Sequence, residues 1–261
     1  MRETASPPHS AVQTPRYIFP YGLSVFFPAY NDAPSLPALI NKTFAVLDQS
    51  AREFEVIVVN DGSADDTGAV LEALRNVHGP RLRVITHPEN RGYGGALRTG
   101  FAAAAKEFVF YTDGDGQYDV GELPSLLEAV WPDVGLINGY KTRRRDPLRR
   151  VVIGAVYNQF ARLLFGVKLR DIDCDFRLIR RSLLERAKLH SSSGAICVEL
   201  VKMLEASGMR VVEVPVSHYP RRHGRSQFFR VKSLATTFAQ LFRLYVHLMH
   251  GVDSPASGER K

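Results

Sequence analysis

From residue 23 to about residue 139, short apolar runs alternate with amphipathic stretches, and that alternation admits few folds. The runs occupy residues 23–27, 54–59, 82–85, 107–112 and 134–137, and helical periodicity falls between them near 35–48, 65–77, 94–106 and 122–131. Repetition of strand and helix predicts an α/β domain with a Rossmann-like, mostly parallel sheet flanked by helices. Such sheets bind ligands beyond the carboxyl ends of their strands. The unusual polar clusters sit there: Pro28-Ala29-Tyr30-Asn31-Asp32, Asn60-Asp61-Gly62-Ser63, and Asp113-Gly114-Asp115-Gly116-Gln117. Beyond residue 139 the regularity stops. A basic stretch over 141–150, a helix near 150–165, a polar turn over 171–175, a helix near 196–207, a strand over 211–216 and a basic loop follow. No internal repeat or linker marks a second independent domain.

Asp113 and Asp115 close the fourth run one residue apart. In extended backbone, positions i and i+2 point the same way, so the two carboxylates can aim hard oxygen ligands at one point. Magnesium and manganese suit such a pair, because Mg²⁺ takes one or two carboxylates and completes its shell with water and substrate phosphate. A solvated Asp-Gly turn is the competing explanation. A calcium loop is excluded by counting: from Asp113 as position 1, the required Gly at position 6 is Tyr118 and the Glu at position 12 is Pro124. Gly114 and Gly116 leave the backbone bare for a close approach.

A dinucleotide fold needs a Gly-rich turn after its first strand; here that turn carries Asp32 and no glycine. The Gly92-Tyr93-Gly94-Gly95-Ala96-Leu97 cluster follows the third strand and lacks the last glycine, and no Walker A loop occurs. Carboxylates at Asp32 and Asp61 would repel phosphate but can accept N–H bonds from a nucleobase. The base is therefore expected against the first two strand ends, beside Pro28, Tyr30, Asp32 and Asp61, and the diphosphate beside Asp113, Gly114 and Asp115. Asp32 and Ser63 could also serve as helix caps.

The formal net charge of +7 points to an anionic partner without choosing among nucleotide, phospholipid and nucleic acid. Cys174 and Cys197 have no metal-ligand spacing, and residues 1–16 carry no apolar leader, so a reducing cytoplasm is expected. No run of about eighteen apolar residues occurs, which leaves peripheral membrane contact.

Together, Phe27-Pro28-Ala29-Tyr30-Asn31-Asp32, Val58-Val59-Asn60-Asp61-Gly62-Ser63, Asn90-Arg91-Gly92-Tyr93-Gly94-Gly95-Ala96 and the Asp113–Gln117 segment resemble a family 2 glycosyltransferase of GT-A fold. Asp171-Ile172-Asp173-Cys174-Asp175-Phe176-Arg177-Leu178, Val212-Glu213-Val214-Pro215-Val216 and Arg221-Arg222-His223-Gly224-Arg225-Ser226-Gln227 are similar to the branch of dolichyl- and polyprenyl-phosphate sugar transferases. The resemblance implies metal-dependent transfer, with inversion, from a GDP- or UDP-linked sugar to a polyprenyl phosphate, and no nucleic-acid partner. It places Gln117 beside the metal, Lys141 and Arg150 at donor or acceptor phosphates, and Arg221 in a loop closing over the diphosphate. Departures from the branch are Lys141 where Arg is commoner, Gly154 where Ser is frequent and Gln227 where Lys is common.

Transfer to a phosphate needs no strong general base, since the nucleophile is already ionised; it needs cations. Lys141, Arg143, Arg144, Arg145, Arg149 and Arg150 form one cluster, and Arg221, Arg222, Arg225 and Arg230 a second. A sugar-hydroxyl acceptor would instead require one of Asp171, Asp173, Asp175 or Glu199 as base; Asp171 and Asp175 are expected to organise the acceptor-side loop. A non-catalytic nucleotide-sugar binding module is the remaining alternative, against which the intact Asp113/Asp115 pair argues. His87, His218 and His223 are assigned surface or packing roles. Residues 228–248 form a basic amphipathic helix suited to a bilayer interface or to packing on the domain. The expected layout is a disordered tail over 1–16, a transferase domain over 17–228, the helix over 229–250 and a tail over 251–261. A homo-oligomer or a membrane partner protein stays open.

Overall fold

Residues 19–29 read Phe-Pro-Tyr-Gly-Leu-Ser-Val-Phe-Phe-Pro-Ala, apolar on both faces, as a strand covered on both sides must be. In the computed structural model, which describes residues 17–144, 148–223 and 231–249, this segment is β1 (Phe19–Ala29) and lies inside the sheet. The other strands are β2 (Ala51–Asn60), β3 (Leu82–Thr86), β4 (Phe108–Thr112), β5 (Val134–Arg144), β6 (Phe176–Arg180) and β7 (Arg210–His218). The helices are α1 (Leu36–Ser50), α2 (Thr67–His78), α3 (Tyr93–Ala103), α4 (Leu123–Glu128), α5 (Leu148–Phe165), α6 (Arg181–Leu184), α7 (Ala195–Glu205) and α8 (Val231–Met249).

The seven strands run β3-β2-β1-β4-β6-β5-β7. All neighbours are parallel except β6, which is antiparallel to both β4 and β5. The sheet is therefore mostly parallel, as the alternation predicts. Successive side chains of β1 face opposite layers. Leu23, Val25 and Phe27 join α1, α2 and α4 in one core. Phe26 joins α3, α5, α7 and α8 in the other. Complete burial of a Phe of this kind contributes about 2–3 kcal/mol.

Two elements depart from expectation. The sequence marks residues 176–178 only as part of a motif, yet residues 176–180 form β6, wedged between β4 and β5. The strand pattern there is interrupted by Arg177, which is fully buried. The fifth strand, expected over 134–137, continues to Arg144 because β7 pairs with it as far as His218. The basic stretch thus begins as sheet. The tails expected over 1–16 and 251–261 lie outside the described residues.

Candidate active site

The ends of β1, β2 and β4 converge on a cavity of about 720 Å³. Pro28, Tyr30, Asp32, Asp61, Asp113, Gly114, Asp115, Gln117, Lys141 and Arg221 all line it, whereas Asp171, Glu199 and Arg222, also candidates from sequence, do not. The side chain of Arg150 lies outside the described residues, although its backbone sits in the first turn of α5. Those of Arg143, Arg144, Arg145, Arg149, Arg225 and Arg230 do as well.

The loops after β1 and β2 are tied together by Asn31, a non-glycine residue at φ 56°. Its N–H donates to Ser63 Oγ at 3.0 Å, and its Oδ1 accepts from the N–H groups of Ala64 and Asp65. Left-handed backbone costs an L-residue energy and persists where neighbours over-determine it, as these do. Asp32 Oδ2 accepts the Tyr30 N–H at 3.0 Å. Neither Asp32 nor Ser63 caps a helix, since α1 starts after Ser35 and α2 after Asp66. Burial, aided by Asp115 and Asp65, raises the Asp32 carboxyl from 3.8 to about 6 against the opposing pull of the Tyr30 N–H and Arg221. Asp61 Oδ1 accepts from the Arg91 N–H at 2.9 Å and lies 2.6 Å from His87 Nδ1.

On the β4 side, the Gly114 N–H donates to Pro28 O at 3.1 Å, and a Cβ on Gly114 would stand 2.8 Å from that oxygen. Its bare backbone therefore admits the protein's own β1, in addition to facing the cavity. Gly116, at φ +72°, makes the left-handed turn that follows. Tyr93, which sequence reasoning passed over, donates its hydroxyl to Asp113 Oδ1 at 2.9 Å. Its loop is braced from behind. Ser192 O accepts the Gly94 N–H, and a Cβ on Gly94 would come within 2.1 Å of Ser191 O. Gln240 on α8 holds the same serine loop, its Oε1 accepting from the N–H groups of Ser192 and Ser193 at 3.1 Å each. Ser233, Thr236 and Thr237 of α8 line the cavity directly.

Asp115 Oδ1 accepts the Gln117 N–H at 2.9 Å, while Oδ2 receives Arg221 Nη2 at 2.6 Å and Nε at 3.1 Å. Arg221 Nη1 is also 3.8 Å from Asp32 Oδ1. The Gln117 amide nitrogen donates to Tyr219 O, fastening the strand that leads to Arg221. Burial, then the charges of Asp175 and Asp115, push the Asp113 carboxyl well above its ordinary range, against Tyr93 and Arg221. Several carboxylates thus crowd the site, with Arg221 paired to Asp115 and Arg177 beside Asp175, and their hard oxygens fit a magnesium or manganese ion. Among the described residues, no group of three or more His, Cys, Asp or Glu could hold a metal unaided.

The carboxylates expected on the acceptor side are otherwise engaged. Asp175 Oδ1 accepts from Tyr111 Oη at 3.2 Å and Cys197 Sγ at 3.3 Å, and lies 3.6 Å from Arg177 Nη1. Arg177 also reaches Tyr111 Oη, Asn138 Oδ1 and the Ile172 carbonyl, joining β4, β5 and the 171–175 turn. Lys141 Nζ donates to Asp173 O at 2.8 Å and pairs with the carboxylates of Asp173 at 3.3 Å and Asp171 at 3.8 Å. Both oxygens of Glu199 accept backbone N–H groups, from His190 and Ser191, which removes it from the candidate bases. His87, assigned a surface or packing role from sequence, is buried between Asp61 and Thr99.

The fold has counterparts among solved structures. Glucosyl-3-phosphoglycerate synthase from Mycobacterium tuberculosis, in complex with Mn²⁺ and uridine-diphosphate-glucose, superposes with a TM-score of 0.66 at 18% identity over 92% of this chain and 82% of that one. A mannosyltransferase from Pyrobaculum calidifontis, in complex with GDP-Man and Mn²⁺, gives 0.62 at 22% identity, covering 89% and 68%. The architecture is that of GT-A glycosyltransferases. Among curated proteins, the undecaprenyl-phosphate 4-deoxy-4-formamido-L-arabinose transferase of Sodalis glossinidius (strain morsitans) is 28% identical over 210 residues. That of Pectobacterium carotovorum subsp. carotovorum (strain PC1) is 30% identical over 213. Each alignment covers 80% of this chain but 64% and 63% of those proteins, so the chain spans less than two thirds of their length. Residues 24–187, more than half of the chain, match the family described as Glycosyl transferase family 2, and the chain belongs to that family.

Proposed function

We propose that the chain transfers a sugar from a uridine- or guanosine-linked diphosphate to a polyprenyl phosphate, with inversion at the anomeric carbon. The observation that carries this reading is the shared cavity: Asp32 and Asp61 at the ends of β1 and β2, and Asp113 and Asp115 at the end of β4, face one space. Its volume of about 720 Å³ suits a ligand of nucleotide-sugar size. A divalent magnesium or manganese ion held by Asp113 and Asp115 would supply Lewis-acid stabilisation of the leaving diphosphate. Asp32 and Asp61 accept N–H groups of the base. Tyr93 holds Asp113 in place. Arg221, whose guanidinium neutralises Asp115 and Asp32 in this structure, offers its fork to the diphosphate as the donor enters.

The acceptor side favours a phosphate over a sugar hydroxyl. A hydroxyl acceptor needs a carboxylate free to take its proton. Of the cavity-lining candidates, Asp173 is paired with Lys141, and Asp175 is bonded to Tyr111 and Cys197 beside Arg177. An ionised phosphate needs no such base. The names of the curated relatives support the same acceptor class. Arg150, at the start of α5, and Lys141 are assigned to the phosphates, with Lys141 acting through the 171–175 turn that it anchors.

The transferase unit is taken as residues 17–228, with the helix over 229–250 applied to it. No helix among the described residues is long and apolar enough to cross a membrane. The outer face of α8, with Phe238, Phe242 and Val246 exposed, adjoins Val156, Phe160 and Leu163 of α5 through the Phe160–Phe238 ring contact. This apolar strip beside the cavity is assigned to a bilayer interface.

The test is to incubate purified protein with a panel of nucleotide sugars, Mn²⁺ and a short polyprenyl phosphate, measuring nucleotide release. Release from a UDP- or GDP-sugar only when the lipid phosphate is present is the expected result. Equal release with free saccharide acceptors would overturn the acceptor assignment.

A further inference from the structure

His87 follows β3 and does not line the cavity, yet it is tied to a residue that does. It is 4% exposed, with Nδ1 at 2.6 Å from Asp61 Oδ1 and Nε2 at 2.9 Å from Thr99 Oγ1 on α3. An ionised carboxylate can only accept, so Nδ1 carries the proton of the short bond. Thr99 can satisfy Nε2 as donor or acceptor. The His87 N–H donates to Asn60 O at 2.9 Å, which fixes the histidine backbone against the end of β2. Asp61 Oδ1 also accepts the Arg91 N–H, and the Asp61 carbonyl accepts from Asn90 Nδ2. One carboxylate oxygen is thus held by two donors, which sets the plane of the group. Oδ2 has no bonded partner among the described residues.

We propose that His87 is a positioning residue for nucleobase selection: by occupying Asp61 Oδ1 it presents Oδ2 to a base that carries a ring N–H, and turns away one that offers a lone pair there. The inference rests on the reading that Asp61 meets the base. Uracil and guanine carry such an N–H, whereas cytosine and adenine place a bare ring nitrogen at the equivalent edge. A fixed carboxylate repels that lone pair, while a rotating one can avoid it. Selectivity of this kind comes from leaving a polar group unpaired with the wrong ligand, so it depends on the carboxylate being unable to turn. The histidine is not a catalytic residue, since it reaches the ligand only through Asp61.

The experiment measures dissociation constants of UDP, CDP, GDP and ADP, each with Mn²⁺, for wild type, His87→Phe, His87→Asn and Asp61→Asn, alongside melting temperatures. Wild type is expected to prefer UDP over CDP or GDP over ADP. His87→Phe should weaken the preferred nucleotide by about tenfold while leaving its disfavoured counterpart nearly unchanged, so that the ratio collapses. His87→Asn, whose amide can reproduce the Nδ1 donor, should restore part of the ratio. If His87→Phe does not fold, Thr99→Val, which removes only the far partner, takes its place and should shrink the ratio in the same direction by a smaller factor. An unchanged ratio in a folded His87 or Thr99 variant, or equal weakening of all four nucleotides, overturns the role of His87. An unchanged ratio in Asp61→Asn fails the base-site reading itself, so the two failures are distinguishable.

Discussion

The halves of the cavity proposed to take donor and acceptor are built in opposite ways. On the donor side, β1, β2 and β4 end in short loops whose carboxylates face the cavity and are held by bonds from nearby backbone, such as Tyr30 to Asp32, Arg91 to Asp61 and Gln117 to Asp115. On the acceptor side, β6 runs antiparallel between β4 and β5, and the charges there are spent on one another: Lys141 on Asp171 and Asp173, Arg177 beside Asp175. In the first half the carboxylates face the cavity and outnumber the one guanidinium, Arg221, that pairs with them. The second uses charge to hold an irregular turn in shape. A cluster of cations in sequence is therefore weak evidence for a phosphate site until their partners are known, because burial demands pairing.

The contrast can be broken most severely at β4. Asp115→Asn should leave the protein folded and lower sugar transfer by about 10²–10³-fold or more, the scale of losing one main electrostatic element of a site. Steady-state turnover checks the loss and a melting curve checks the fold. Wild-type turnover, or turnover that survives excess chelator, would sink the donor-side assignment. At Arg177 the expected effect is on stability. Arg177→Met strips a fully buried guanidinium from Asp175, Tyr111 and Asn138, and breaking such a cluster costs about 3–5 kcal/mol. In a chain of this size, that is a fall in Tm of roughly 10 °C. If the halves are separate in kind, this variant should still bind nucleotide below its melting point.

Smaller effects sharpen the comparison. Arg150→Ala should raise the KM for lipid phosphate by about tenfold and leave nucleotide affinity within about twofold; titrating each ligand separately decides it, and equal effects would move Arg150 to the donor side. The mildest is a pH effect at Asp32, whose carboxyl rises from 3.8 to about 6. Between those values the folded state holds a proton that the unfolded chain has lost, so the Asp32 contribution to stability is full below pH 4 and declines as pH rises through about 6. Base recognition requires the ionised form and runs the other way. Nucleotide affinity should climb as pH rises toward and past 6, and Asp32→Asn should flatten that limb in a binding titration.

The donor half was legible because its signals are local. Apolar runs predict β1 to β4, and each acidic cluster follows its strand within a few residues. Even Asp113 and Asp115 needed only the period of a strand. The other half was legible only in part: Asp171 and Asp175 were marked as holding its turn, but what defines β6 is an arginine that looks like a surface residue until Asn138, Tyr111 and Ile172 close around it from 5 to 66 positions away. Tyr93 was missed for the same reason, since its partner Asp113 lies 20 residues off, and nothing in the sequence pairs His87 with Asp61, 26 residues away. The glycines beside Tyr93 were visible, but nothing in sequence says that the oxygens of Ser191 and Ser192 fill the space left by their missing side chains.

Gln240 gives the C-terminal helix a consequence of its own. With its amide bonded to the serine loop behind Tyr93, and with Thr237 and Leu241 buried beside it, α8 is fastened to the cavity wall. Whatever its outer face rests upon is held at a fixed standoff from the cavity, on the order of one helix diameter, ~10 Å. On the proposed reading, in which that face rests on a bilayer, this is the distance that the acceptor's reacting group and the cavity have to bridge between them.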